Sequence, residues 1–156
     1  MTVAELQTYI DEHIPIVKAN RLVVLKAEAD CISVGGTLAD HVNHRDSVFG
    51  GSLSTALILA AWARVRLWTD TFDPAAVIVI SEQYVKFEVP VLADFAAFSR
   101  PLKTEVLEKA MAQLRRFGKA RFSVEAAIIH RGGSDIRAEF SGEFVVVSKK
   151  THQARP

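Results

Sequence analysis

Asn43-His44-Arg45-Asp46-Ser47-Val48-Phe49-Gly50-Gly51-Ser52 runs directly into Leu53, Ala56, Leu57, Ile58, Leu59, Ala60, Ala61 and Trp62, ending near Trp68. No other part of the chain is so apolar at every helical position. A helix that is hydrophobic all round belongs in the middle of a protein, because no face of it gains from water. The polar, turn-prone residues before it mark its entry. The glycine pair lets other backbone come close, and a helix start there leaves N–H donors without intrahelical partners. The rest of the chain must therefore supply a wrapper for this helix.

Working outward, the flanks supply one. Thr2 to about Ile14 has a capping-box pattern (Thr2 with Glu5), an apolar face of Leu6, Ile10 and Ile14, and a stop at Pro15, which predicts an amphipathic helix. Val23, Leu25, Ala27 and Ala29 alternate with Val24, Lys26, Glu28 and Asp30, the period of a half-buried strand. Cys31 to Leu38 continues as a second strand with a turn or bulge at Gly35-Gly36. Beyond a loop at Asp70 to Pro74, Val77 to Val89 is a long strand ended by Pro90. Phe95 to Ser99 follows as another, after a turn at Ala93-Asp94. Thr104 to Phe117 presents Leu107, Ala110, Met111 and Leu114 on one helical face, with Gly118 placed to close the helix; Val106 and Leu107 would also tolerate a strand. Phe122 to Ile128 and Ile136 to Val146 alternate around Arg131-Gly132-Gly133-Ser134-Asp135, the pattern of an antiparallel hairpin. The expectation is an α+β fold, with about six antiparallel strands curling round one helix in a single domain over residues 1–156. The polar tail from Lys149 is expected to fray. Long strands with one polar face leave edges to be paired, so a dimer that continues the sheet is the simplest assembly.

The totals narrow the function classes. A chain of 156 residues with 49% hydrophobic and 24% charged residues has enough apolar material for one core and too much for disorder. The net charge of +1 offers no field for nucleic acid or an acidic membrane. Cys31, the single cysteine, can make neither an internal disulfide nor a metal site alone. No basic, then apolar, leader opens the chain, and Arg64 and Arg66 cut the central apolar run short of the ~20 residues of a membrane span. A cytoplasmic protein is expected, and nothing calls for a cofactor or a metal.

These elements together resemble the hotdog-fold superfamily of thioesterases and dehydratases, in which a curved sheet wraps a central helix. Many of those thioesterases carry H-N-P-x-G-x-x-H-G-G at the start of that helix. Asn43-His44-Arg45-Asp46-Ser47-Val48-Phe49-Gly50-Gly51 keeps the spacing, with Asn43 at the asparagine position and Gly50 and Gly51 at the paired glycines. Gln83-Tyr84-Val85-Lys86-Phe87-Glu88-Val89-Pro90-Val91, followed by Asp94, resembles the superfamily strand that ends in Y-x-x-P-x. More narrowly, Ile14-Pro15, Asn43-His44 and Val48 to Leu53 resemble the thioesterase domain fused behind acetyltransferase domains in some bacterial proteins; no acetyltransferase signature is present. Two departures stand out. Phe49 replaces the histidine before the glycines. Where several subfamilies place an acid two turns into the helix, this chain has Leu57-Ile58-Leu59, with no acid before Asp70.

The resemblance implies an acyl thioesterase acting on coenzyme A or acyl-carrier-protein thioesters, working as a homodimer or a dimer of dimers. Hydrolysis of a thioester requires a polarised carbonyl, a water and a base. The Gly51 amide, with that of Ser52, is the candidate oxyanion donor; alternatively the glycines only permit close packing. Asn43 either orients water or the carbonyl, or serves the turn. Asp46 is the carboxylate nearest the glycines and the first candidate base. Glu82 is the second, since unbroken alternation puts it on the face of Ile78, Ile80 and Tyr84, toward burial. The side chains of Ser52, Ser54 and Thr55 are expected to bond back along the helix, a direct catalytic role being the alternative. His41 and His44 flank the site. Phe49 with Trp62 and Trp68 can line an acyl tunnel or simply pack, and Gly50 lets substrate approach the backbone. Lys86, Arg115, Arg116, Lys119 and Arg121 are candidate phosphate anchors or a solvated face. The missing helix acid and Phe49 favour, as an alternative, a non-catalytic acyl-CoA or fatty-acyl binding module; a hydratase ranks below both.

Overall fold

The structure, a computed structural model, describes residues 1–149. Eleven elements are formed by these residues: α1 Val3–His13, α2 Pro15–Ala19, β1 Val23–Ala27, β2 Ile32–Gly36, α3 Leu38–His41, α4 Gly50–Asp70, β3 Val77–Phe87, β4 Phe95–Ser99, α5 Thr104–Phe117, β5 Lys119–His130 and β6 Ile136–Val147. The strands form one antiparallel sheet in the order β1-β2-β4-β5-β6-β3. This is a hotdog fold. The sheet curves round α4, which packs on β2, β3, β4, β5 and β6. Leu57, Ala60, Ala61 and Val65 of α4 are fully buried. Burying one such leucine contributes roughly 1.5–3 kcal/mol, and the sheet covers most of the helix, leaving apolar residues such as Ile58 and Trp62 partly buried.

The expected capping box is present: the Glu5 N–H donates to Thr2 Oγ1 at 3.2 Å, and the Thr2 N–H to Glu5 Oε2 at 2.7 Å. Pro15 ends α1 but also begins α2, where its missing N–H costs nothing. Gly118 closes α5 with φ 70°, a left-handed conformation that a glycine adopts without strain. The β5–β6 hairpin takes the expected inner residues, Phe122 to Ile128 facing Ala138 to Phe144. Gly35 and Gly36 are not a turn. They lie inside β2, and a Cβ on Gly36 would stand 2.6 Å from His41 Nε2. Their smallness serves close packing.

Two bulges shift strand phase. Register slips between Val24 and Lys26, so Val24 is buried and Val23 is 44% exposed, the reverse of plain alternation. A second slip falls between Ile80 and Glu82. It turns Glu82 to the outer face, opposite Glu143, and brings Val85 and Phe87 to the helix side, opposite Phe140 and Ala138. A bulge adds one residue to one strand, and with a side-chain period of two everything beyond it changes face.

Candidate active site

The entry to α4 is built by a short loop with few degrees of freedom. Val42 and Val48 form an antiparallel bridge, closing the loop 43–47. The Asn43 side chain organises it: Oδ1 accepts from the Arg45 N–H at 2.8 Å and the Ser47 N–H at 3.3 Å, while Nδ2 donates to Ser47 Oγ at 3.1 Å. Asparagine serves such turns well because its amide stands in for backbone. Asp46 sits at the loop tip with φ 57° and is exposed. Two further bonds fix the loop's end: the Val48 N–H donates to the Val91 carbonyl and the Phe49 N–H to the His41 carbonyl, both at 2.8 Å. Val91 is fully inside, so the chain after β3 clamps the start of α4.

Phe49 is the N-cap of α4 and has no side-chain acceptor to offer. Its carbonyl accepts from the Ser52 N–H at 3.0 Å and the Leu53 N–H at 3.2 Å. The Ser52 amide is therefore already used. Among the described residues, the Gly50 and Gly51 amides have no acceptor. They present two free donors at the positive end of a 21-residue helix. The Phe49 ring lies across Gly51, and the Phe87 ring lies beside Gly50, 3.5 Å from where a Cβ would be. Both rings are more than half exposed. Thr55 Oγ1 donates back to the Gly51 carbonyl at 2.9 Å, as expected of a hydroxyl in a buried helix.

Beside these donors lies a cavity of about 300 Å³, lined by Gly50, Leu53, Val48 and Ser47 on one side and by Phe87 to Val91 on the other. Its carboxylate is Glu88. A salt bridge of 2.6 Å joins Glu88 to Lys86, and hydrogen bonding with the Glu88 carboxylate, followed by its charge, holds the lysine's pKa above its ordinary value. Sequence reading passed over Glu88, since it follows the strand and shows no periodicity. The signal was its place two residues before Pro90, in a segment that only the pairing of Val48 with Val91 brings to the helix. Glu82 and Lys86 lie on the outer face, Lys86 opposite Glu139, so of the two only Lys86 reaches the cavity's edge, through Glu88. Arg115, Arg116, Lys119 and Arg121 are gathered at the other end of the molecule, where Phe122 meets Trp68 near the end of α4, roughly 25 Å from Gly50 at 1.5 Å per helical residue. Within one chain they cannot anchor a ligand at the glycines. Trp62 stacks with Tyr9; Trp68 meets Phe72 and Phe122 edge-on and also lines a cavity at that end of α4, away from the glycines. His41 is buried against Phe95 with Nε2 unpartnered, and desolvation lowers its pKa against a weaker opposing pull from Asp40.

Solved structures share this architecture. A protein of unknown function from Chlorobaculum tepidum TLS superposes with a TM-score of 0.87 at 26% identity over 94% of both chains. A protein from Shewanella oneidensis described as a "putative thioesterase" gives 0.79 at 24% identity, over 93% of this chain and 96% of the other. PA5026 from Pseudomonas aeruginosa, described as a "probable thioesterase", gives 0.79 at 22%, over 95% and 97%. No curated protein matches the sequence. Among the described residues, no helix is long and apolar enough to cross a membrane. A family model described as "Putative thioesterase (yiiD_Cterm)" matches residues 3–148, and with nearly the whole chain inside it this protein belongs to that family.

Proposed function

We propose that this chain hydrolyses acyl thioesters of coenzyme A or acyl carrier protein by direct attack of water. The observation that carries the reading is the pair of free amides, Gly50 and Gly51, at the N-terminus of a buried helix, with Gly50 lining a cavity that the acidic residue Glu88 also borders. The thioester carbonyl oxygen accepts from these amides. As water adds, negative charge grows on that oxygen, where preorganised donors and the helix dipole stabilise it most. Glu88 takes the proton from the attacking water; the tetrahedral intermediate then collapses and expels the thiolate, which recovers a proton from Glu88. Asn43 keeps the donors in place by holding the loop, and Asp46, exposed at the tip, is the competing base. Lys86 fixes the Glu88 carboxylate at the mouth. The leaving carrier lies outward, past Phe49.

The assembly belongs to the same proposal. β3 is an 11-residue sheet edge carrying exposed Val77, Val79 and Tyr84. An uncovered edge of this length invites strand pairing, so a homodimer continuing the sheet through β3, or a dimer of dimers, is expected. The kinship with thioesterase domains that follow acetyltransferases rests on the shared motifs. A second reading, a non-catalytic acyl-binding module, is favoured by one observation: the Phe49 ring covers Gly51. A thiol-release assay over acyl-CoA chain lengths separates the two. Release at any length, abolished by Glu88→Gln, supports hydrolysis with Glu88 as base. Release that survives Glu88→Gln but not Asp46→Asn moves the base to Asp46. Saturable binding without release supports the module.

A further inference from the structure

At the far half of α4 a charge is buried with no carboxylate in direct contact; Asp30 and Cys31 act on it only from further off. Arg64 is 6% exposed and takes part in no ion pair of 4 Å or less among the described residues. Neutral oxygens hold it: Nε donates to Ser99 Oγ at 3.2 Å, Nη2 to the Ser99 carbonyl at 3.3 Å, and Nη1 to the carbonyls of Ala29 and Glu28. A guanidinium has five N–H groups, so one on Nη2 remains. Arg64 also lines a cavity of about 360 Å³, walled by Leu67, Trp68, Leu102 and Leu107. Glu28 stands at the rim; its carbonyl, not its carboxylate, holds the arginine. This cavity lies roughly 20 Å along the helix from Gly50, at 1.5 Å per residue.

We propose that this cavity is a second binding site, for a monocarboxylate with a short apolar body. Burial disfavours the charged guanidinium, and an anion entering beside Arg64 offsets that with a direct opposite charge. Charge-assisted bonds to guanidinium are the strong ones. One free N–H on Arg64 and mostly apolar walls suit a single negative charge on an apolar body. The cavity's size falls within the range of small-molecule sites, and its apolar lining selects a hydrocarbon tail. The site does not depend on hydrolysis at the other end of the helix.

Octanoate and 1-octanol, which share a tail and differ in charge, test the site on the full chain by calorimetry and by Trp68 fluorescence. Expected is saturable binding of one octanoate per chain, with octanol at least tenfold weaker. Arg64→Gln is expected to weaken octanoate at least tenfold. Leu107→Trp leaves Arg64 untouched but fills the cavity, so it removes binding even if the Arg64 variant does not fold. Glu88→Gln and Gly50→Pro are expected to leave octanoate binding unchanged, which separates this site from the one at the glycines. Equal affinity for octanol, octanoate binding that survives Leu107→Trp, or no saturable binding would each overturn the proposal.

Discussion

The two halves of α4 present positive charge in opposite ways. At its N-terminus the charge is partial, made of backbone amides, and faces an open cavity bordered by half-exposed Phe49 and Phe87. Two turns from its C-terminus the charge is whole, carried by Arg64, and clasped by carbonyls from the β1–β2 turn and from β4. Backbone donors cost no side-chain entropy and stay aimed when a ligand leaves, which suits repeated turnover. A buried guanidinium holding three backbone carbonyls from two segments is a fixture: it ties helix to sheet. One helix thus carries the proposed turnover site on backbone donors at one end and a guanidinium that also ties helix to sheet at the other.

The sharpest way to break this contrast is to remove the proposed base, Glu88, from the glycine end. Glu88→Gln keeps the shape of the cavity and is expected to lower kcat by about 10²–10⁴-fold, the usual worth of a general base, with the urea midpoint unchanged because the group is on the surface. Asp46→Asn should stay within about threefold, since a solvated loop charge contributes little; a larger loss would exchange the two roles. Next comes the amide. Gly50 is the first helical residue and Phe49 before it is extended, with φ −60° and ψ 132°, so proline fits there and deletes only an N–H. Gly50→Pro is expected to lower kcat by roughly 10²–10³-fold, the worth of one oxyanion donor, with a normal melting temperature. At the Arg64 end the readout reverses. Arg64→Ala should cost about 2–4 kcal/mol in denaturant unfolding, because the carbonyls it serves lose their partner and a cavity opens, while kcat of the folded fraction holds.

That contrast was only half legible in the sequence. The helix itself was readable because burial over most of its surface leaves a continuous apolar signature, and the wrapper was readable because alternation and glycine punctuation are local. Glycine pairing with Asn43 located the open end. The bulges were not readable: nothing in Ile80-Ser81-Glu82 announces an extra residue, yet it decides that Glu82 faces outward and Phe87 faces the helix. Glu88 was missed for a related reason, since only the long-range bond from Val48 to Val91 brings it to the glycines. Arg64 and Arg66 read as the end of an apolar run. Instead both are buried. Arg66 bonds the Pro74 carbonyl at 2.7 Å and lies over the Tyr9 ring, so each charge is accommodated by partners that no local pattern reveals.

The smallest expected effect separates the ends by pH. His41 belongs to the open end: its carbonyl holds the Phe49 N–H, and its buried ring has no partner on Nε2. Desolvation lowers its folded pKa below the ordinary 6.5, with Asp40 opposing weakly. The unfolded chain therefore takes up this proton first as pH falls. Its contribution to stability is fully present above about pH 6.5 and declines below that, through the lowered folded value, because binding protons preferentially to the unfolded state favours unfolding. Desolvation lowers the Arg64 pKa, yet a guanidinium stays protonated through this range, so its bonds to the carbonyls are unchanged. Urea midpoints at pH 7.5 and pH 5.5 should differ more for the native chain than for His41→Leu, in which the titrating group is gone. Amide hydrogen exchange adds the location: on acidification the protection of the Phe49 and Val48 amides should fall before that of amides in β4 around Ser99. Equal pH slopes in the two proteins would place the acid sensitivity elsewhere and leave the loop's anchorage to the Val48 and Asn43 bonds.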